Sequence, residues 1–470
     1  MYEPVVGNPR RKIIILLIAL LCIFLALFVG VINTTLPQRQ PRPVSWEARF
    51  LASLGSDWER AEWTRIIELT QPDENHFRAL YTAHFNPPPY QPRQSSAPRT
   101  TISIENIRSD FEEMMIILRD NFPYLHFAYR HLGVDIDVLE AQFLESIDNI
   151  TTTTGNIHYT SFLRMLQDDF MRPLRSTGHI WAMTRTDAAR PRQALSIDER
   201  FSFESMEPGK IAYMGISSFA VLFSQEESIL EITDAISGFY ASITDYEHLI
   251  IDIRRNSGGN PIFFFDTMIF PLMPEDYTYV NFGFVSSFQA ATNAFRDSHA
   301  RYSFVIQCAS EMLSMYQLLE LYNHELHQLH PTDIDAFRYG FRDAEEIIVP
   351  RIICEDGYET IKPVFSGKIW LLIDGGASAT VLIADRVLDI GLATLVGNTT
   401  SGVTGAGRLY HQLPHSGFII QYDTIHRTNR HGRSLEYGVD PHIFSDDPLA
   451  TVLSLIQSEE YRYLDFASNP

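Results

Sequence analysis

The most constraining stretch of this chain runs from Lys368 to Val396, where an apolar run, a glycine turn, a helical pattern and a second apolar run follow one another. Lys368-Ile-Trp-Leu-Leu-Ile373 has the compact apolar character of a buried strand, and Ala393-Thr-Leu-Val396 repeats it. Between them a helical pattern from Ser378 to about Asp389 closes at Gly391. Strand, helix and strand in so short a span make an α/β unit with a right-handed crossover. Ile211-Ala-Tyr-Met-Gly-Ile216 and His248-Leu-Ile-Ile-Asp-Ile253 read as two further buried strands.

The turn inside that unit is Asp374-Gly-Gly-Ala-Ser378-Ala379. Its two glycines bring Ser378 to the helix N-terminus, where unpaired backbone N–H groups favour negative charge. A serine alkoxide and a tetrahedral oxyanion both need such a place. An ordinary N-cap serine fits the same residues. Asp252-Ile-Arg-Arg-Asn256-Ser-Gly258-Gly259 follows another of the strands, and its paired glycines allow the backbone to approach a reacting group closely.

Upstream, Ser103 and Asn106 offer cap side chains to a helix through Phe111, Met114, Met115, Ile117 and Leu118. Further helices are expected near Val138–Ile147 and Thr160–Met171, and the segment from about Ala290 to Asp343 looks helical, as an insertion or lid.

The N-terminus bears on compartment. Arg10, Arg11 and Lys12 precede an unbroken apolar run from Ile13 to Ile32. Roughly 20 such residues at about 1.5 Å each span a hydrocarbon core of about 30 Å. The positive cluster predicts a single-pass anchor with its N-terminus cytoplasmic and the remainder extracytoplasmic. A cleaved signal peptide is the rival reading, although Asn33-Thr-Thr-Leu-Pro37 lacks an Ala-x-Ala site. Pro37–Pro43 and Pro87–Pro98 are proline-rich linkers around a helical pattern carrying Trp46, Phe50, Leu51, Leu54 and Trp58. The net charge of −21 repels phosphate backbones, so nucleic acid is not an expected partner. Cys308 and Cys354 have no CxxC spacing, which argues against zinc; one disulfide between them and two buried thiols are both open.

Taken jointly, Asp252 to Gly259 and Gly375 to Ala379 resemble the paired motifs of the C-terminal-processing (tail-specific) protease family. Tyr213 to Phe219, Val396-Gly397, Gly402 and Leu435-Glu436-Tyr-Gly438-Val-Asp-Pro441 support it, so that the resemblance spans about Ile102 to Phe444. It implies an α/β core of the crotonase/Clp-like spiral type preceded by a helical subdomain. The family's lysine branch places a general base at the position of Val403, and no lysine follows Ser378. The tricorn-type branch uses a histidine and a glutamate instead, which correspond here to His179 and Glu436. The resemblance thus implies Ser378 as nucleophile, His179 as general base and Glu436 as an orienting or substrate-amine-binding carboxylate. It also implies an oxyanion hole from the Ala379 N–H with that of Gly258 or Gly259. His411, His415, His426 and His431 are competing bases. No Gly-Leu-Gly-Phe-type peptide-binding (PDZ) module is evident.

The expected organisation is a cytoplasmic N-terminus (1–12), an anchor (13–32), a stalk and linker (33–100), a helical subdomain (101–200), an α/β catalytic domain (201–450) and a tail (451–470). The expected activity is that of a serine-type endopeptidase acting on peptides or proteins with no metal or organic cofactor. An inactive ligand-binding protein on the same fold and an esterase are the alternatives, the latter opposed by the lack of a Gly-x-Ser-x-Gly elbow.

Overall fold

The structure is a computed structural model that describes residues 100–463 apart from 151, 153, 189–194, 221–225, 257, 287–312, 350, 355–356 and 361–362. The expected anchor, stalk and Cys308 lie outside the described residues, as does the side chain of Cys354. Among the described residues no helix is long and apolar enough to cross a membrane.

The helical subdomain contains α1 (Ile104–Asn121), α2 (Ile136–Asp148) and α3 (Tyr159–Met165). Ser103 caps α1 by accepting the Asn106 N–H at 3.2 Å, and Phe111, Met114, Met115 and Leu118 bury one face. The chain then passes through Gly178 and His179 into a short strand, β1 (Trp181–Met183). This strand interrupts the expected helical subdomain. Its Ala182 joins the helical core together with Leu409, Phe418 and Ile420 from a distant hairpin.

The α/β body comprises β2 (Phe201–Glu207), β3 (Ile211–Ile216), α4 (Glu226–Ser242) and β4 (His248–Asp252). After β5 (Tyr277–Val285), α5 (Met315–Tyr322) and β6 (Tyr339–Ile347) come β7 (Lys368–Ile373), α6 (Ala379–Ile390) and β8 (Thr394–Gly397). The chain ends with β9 (Ala406–Gln412), β10 (Ile419–Asn429), β11 (Ile443–Phe444) and α7 (Pro448–Ser458).

Two sheets result. The first has the order β11-β8-β7-β4-β3-β2, parallel except for the β2–β3 hairpin. Its central strands are buried on both faces, which is why they read as unbroken apolar runs. One face packs against α4 and α6, the other against α7 through Val452 and Ile456. The second sheet is antiparallel, with β9-β10-β5-β6 in line and β1 also paired to β10. Here the expectation of helix from about Ala290 to Asp343 is corrected in part. Tyr339–Ile347 is a strand along β5, with Phe341 opposite Gly283 and Tyr339 opposite Val285. Its charged residues, Arg342, Asp343, Glu345 and Glu346, interrupt the apolar alternation by which a strand is recognised.

Candidate active site

β7 ends at Ile373, and the Asp374–Ala377 turn delivers Ser378 to the N-cap of α6. Ser378 has φ 61° and ψ −121°, a conformation that costs a residue with a Cβ of the order of 1–3 kcal/mol. Its N–H donates to the Gly402 carbonyl at 2.9 Å, while its hydroxyl makes no capping bond to the helix. The turn is further held by the Ser401 N–H on Gly376 O at 2.8 Å and by the Ser401 hydroxyl on Gly375 O.

The second glycine turn lies against it. Asp374 accepts the Arg255 N–H at 3.1 Å, and Thr380 Oγ1 donates to Asn256 O at 3.4 Å. A Cβ built on Gly258 would stand 3.2 Å from the Ser378 Cβ; one on Gly259 would overlap Phe219. Sequence left open which glycine offers an N–H. The Gly258 N–H is committed to Asn256 Oδ1 at 2.8 Å. Among the described residues the Gly259 and Ala379 N–H groups meet no acceptor. A cavity of about 400 Å³, lined by Arg255, Asn256 and Asp374–Ala377, reaches the residue next to Ser378.

His179 sits just before β1, with its side chain 20% exposed. Its own N–H donates to Asp423 Oδ2 at 2.7 Å, and its ring Nδ1 lies 2.5 Å from the same oxygen. Asp423, on β10, is fully buried and takes a further contact from Arg408 Nε at 3.3 Å. The antiparallel register that sets Trp181 opposite Gln421 carries His179 alongside Asp423.

Glu436 occupies a single 3-10 turn, Leu435–Tyr437, and is buried. Oε2 accepts the N–H groups of Gly178 at 3.0 Å and Val403 at 2.9 Å. Oε1 accepts the N–H and hydroxyl of Thr404 at 2.8 and 2.9 Å. Burial raises its pKa, and these four donors oppose the rise. Glu436 therefore holds the backbone beside His179, while the ring itself is held by Asp423, a residue that sequence reasoning missed. Glu436 also links the two halves of the site. Val403, which it binds, follows Gly402, which receives the Ser378 N–H.

Ser378 Oγ and the His179 ring share no hydrogen bond; the ring is held by Asp423 and the hydroxyl makes no bond to its helix. The competing histidines are engaged elsewhere. His411 Nε2 meets Glu113 at 2.8 Å, His431 packs on His327, and His426 is enclosed by Tyr124, Phe127 and Phe337. His415 is held beside α1 through its backbone N–H, which donates to Asp110 at 2.9 Å. No group of three His, Cys, Asp or Glu side chains among the described residues is arranged to hold a metal ion.

Fold and site together define an α/β protein with a serine on a strained strand-to-helix turn and a carboxylate-bound histidine within the same hydrogen-bonded frame. The model of peptidase family S41 matches residues 210–445, half of the sequence, and the chain belongs to that family of serine peptidases. No curated protein matches the sequence. Among solved structures, a peptidase candidate from Parabacteroides merdae ATCC 43184 is similar at 12% identity and a TM-score of 0.47, covering 76% of this chain and 99% of its own. Mature CPAF is similar at 12% identity and a TM-score of 0.43, over 76% of this chain and 95% of that one. The photosystem II D1 C-terminal processing protease shows 13% identity and a TM-score of 0.29, over 54% and 50%.

Proposed function

We propose that this protein is a membrane-anchored serine peptidase that cleaves peptide bonds through an acyl-enzyme on Ser378, with His179 as general base. The observation that carries the reading is the conformation of Ser378, strained at a helix N-terminus with its hydroxyl uncommitted. Serine is a poor nucleophile at neutral pH and needs a base to take its proton. With Nδ1 bonded to Asp423, the His179 ring keeps Nε2 for that proton.

Attack of Ser378 Oγ on the substrate carbonyl forms the C–O bond and moves the hydroxyl proton to Nε2. The carbonyl electron pair goes to oxygen, where the Ala379 and Gly259 N–H groups supply the stabilisation. Collapse breaks the C–N bond, and the proton on Nε2 passes to the departing amine. Water then repeats the sequence on the acyl-enzyme and restores Ser378.

The anchor is the Ile13–Ile32 run, which holds the peptidase domain on the extracytoplasmic face. A reporter fused after Pro43 is expected outside the cell, and cytoplasmic exposure would reverse this topology. For the chemistry, the full chain in detergent is treated with a fluorophosphonate probe beside Ser378→Ala and His179→Ala. Labelling of the wild type that disappears in both variants is expected. A folded wild type that does not label would sink the peptidase reading.

A further inference from the structure

Resting on that reading, we infer that Asp423 is the positioning residue of the general base, and that Glu436 serves a different purpose. Asp423 is wholly buried, yet it is reached by two donors from one residue, the backbone N–H and the ring Nδ1 of His179. That pair of bonds fixes both the place of His179 and the rotation of its imidazole. An ionised carboxylate only accepts, so Nδ1 carries its proton and Nε2 is left as the base. When Nε2 gains the Ser378 proton, the ring becomes a cation beside a buried anion, in surroundings where the attraction is weakly screened.

The pocket around Asp423 is built to admit it. A Cβ on Gly405 would lie 2.2 Å from Asp423 Oδ2 and 2.6 Å from the Tyr124 hydroxyl, so any larger residue there would expel the carboxylate. Tyr124 in turn donates to Ile425 O at 2.7 Å on the same strand. Glu436 has no comparable access. Its oxygens are occupied by Gly178, Val403 and Thr404, so it secures the two loops that carry the site without touching the imidazole.

The test measures the fluorophosphonate labelling rate of the full chain against pH and probe concentration, with thermal denaturation as a check on folding. Asp423→Asn keeps the shape and removes the charge. It is expected to slow the maximal labelling rate by roughly a hundredfold or more, with half-saturating probe concentration little changed. The acid limb of the pH profile should move to lower pH, because the imidazolium has lost its counter-charge. Asp423→Glu should recover part of the rate.

Glu436→Gln should lower the melting temperature while leaving the acid limb in place. An Asp423→Asn rate and pH profile matching the wild type, or an Asp423→Glu variant no faster than Asp423→Asn, would overturn the proposal and leave the serine reading intact. A folded wild type that does not label would overturn both.

Discussion

Gly258 lies against Ser378 so closely that a methyl group on it would stand 3.2 Å from the Ser378 Cβ and 3.5 Å from its Oγ. Gly258 also has φ +79°, a conformation L side chains rarely adopt. Gly258→Ala therefore meets two penalties, backbone strain and pressure on the nucleophile. A destabilisation of about 1–2 kcal/mol is expected. Fluorophosphonate labelling should fall further than that loss explains, because the crowded Cβ carries the reacting oxygen. Denaturant unfolding beside labelling rates checks it.

Ser378 itself should be a site where stability and activity oppose one another. Glycine in its place removes strain of roughly 1–3 kcal/mol and returns up to about 1 kcal/mol to the unfolded chain as entropy. Ser378→Gly is expected to abolish labelling and to melt at or above the wild-type temperature. A clear drop in melting temperature would contradict the strain assigned to the turn.

The buried ring of His426 should make the protein sensitive to acid. Enclosed by Tyr124, Phe127 and Phe337, its nitrogens find no partner among the described residues, and burial pushes its pKa down to about 3. His126 and Arg130 lower it further, while Asp333 opposes them. The unfolded chain takes up a proton near pH 6.5 and the folded one does not. The contribution is therefore complete above about pH 6.5 and declines as pH falls toward 3, by several kcal/mol in the limit. His426→Phe should flatten the melting temperature between pH 6.5 and 4.

Asp385 should act in the opposite direction. Burial raises its pKa to about 6; the Tyr279 hydroxyl at 2.7 Å, Arg386 and Arg433 pull it down, and Asp389 adds to the rise. The folded state binds this proton more tightly than the unfolded one. Its contribution is complete below about pH 4 and is lost as pH rises through 6, on the order of 3 kcal/mol. Asp385→Asn keeps an acceptor for Tyr279 and should be more stable than the wild type at pH 7–8, with the two converging near pH 4. Thermal denaturation across that range is the measurement.

Much of the parallel sheet was legible because its information is local. β3 and β7 have the bounds their apolar runs predict, and α6 ends at the expected Gly391, which takes the left-handed conformation. Ser378 could be placed at a helix N-terminus for the same reason. The antiparallel sheet was harder. β5 and β6 pair over a long stretch, but charged residues break the alternation of β6, and its partner lies far away in sequence. Asp423 carried no signal at all. It stands in Gln-Tyr-Asp-Thr, a stretch without glycine turn or motif, and meets His179 only because β1 and β10 pair. Glu436 was found through its surroundings, yet its contacts are with backbone groups, which residue types do not reveal.

The hydrogen-bonded frame that joins Gly178, Gly402–Thr404 and Glu436 has a consequence for how the protein is made. Chains emerge from the ribosome N-terminus first. His179 is thus synthesised early, Ser378 late, and Asp423 and Glu436 later still. A nascent or prematurely terminated chain that stops short of β10 has neither the carboxylate for its imidazole nor the anchor for the loop behind its serine. The proposed site is then assembled only once its last parts have emerged, so the order of synthesis itself withholds it from an unfinished polypeptide.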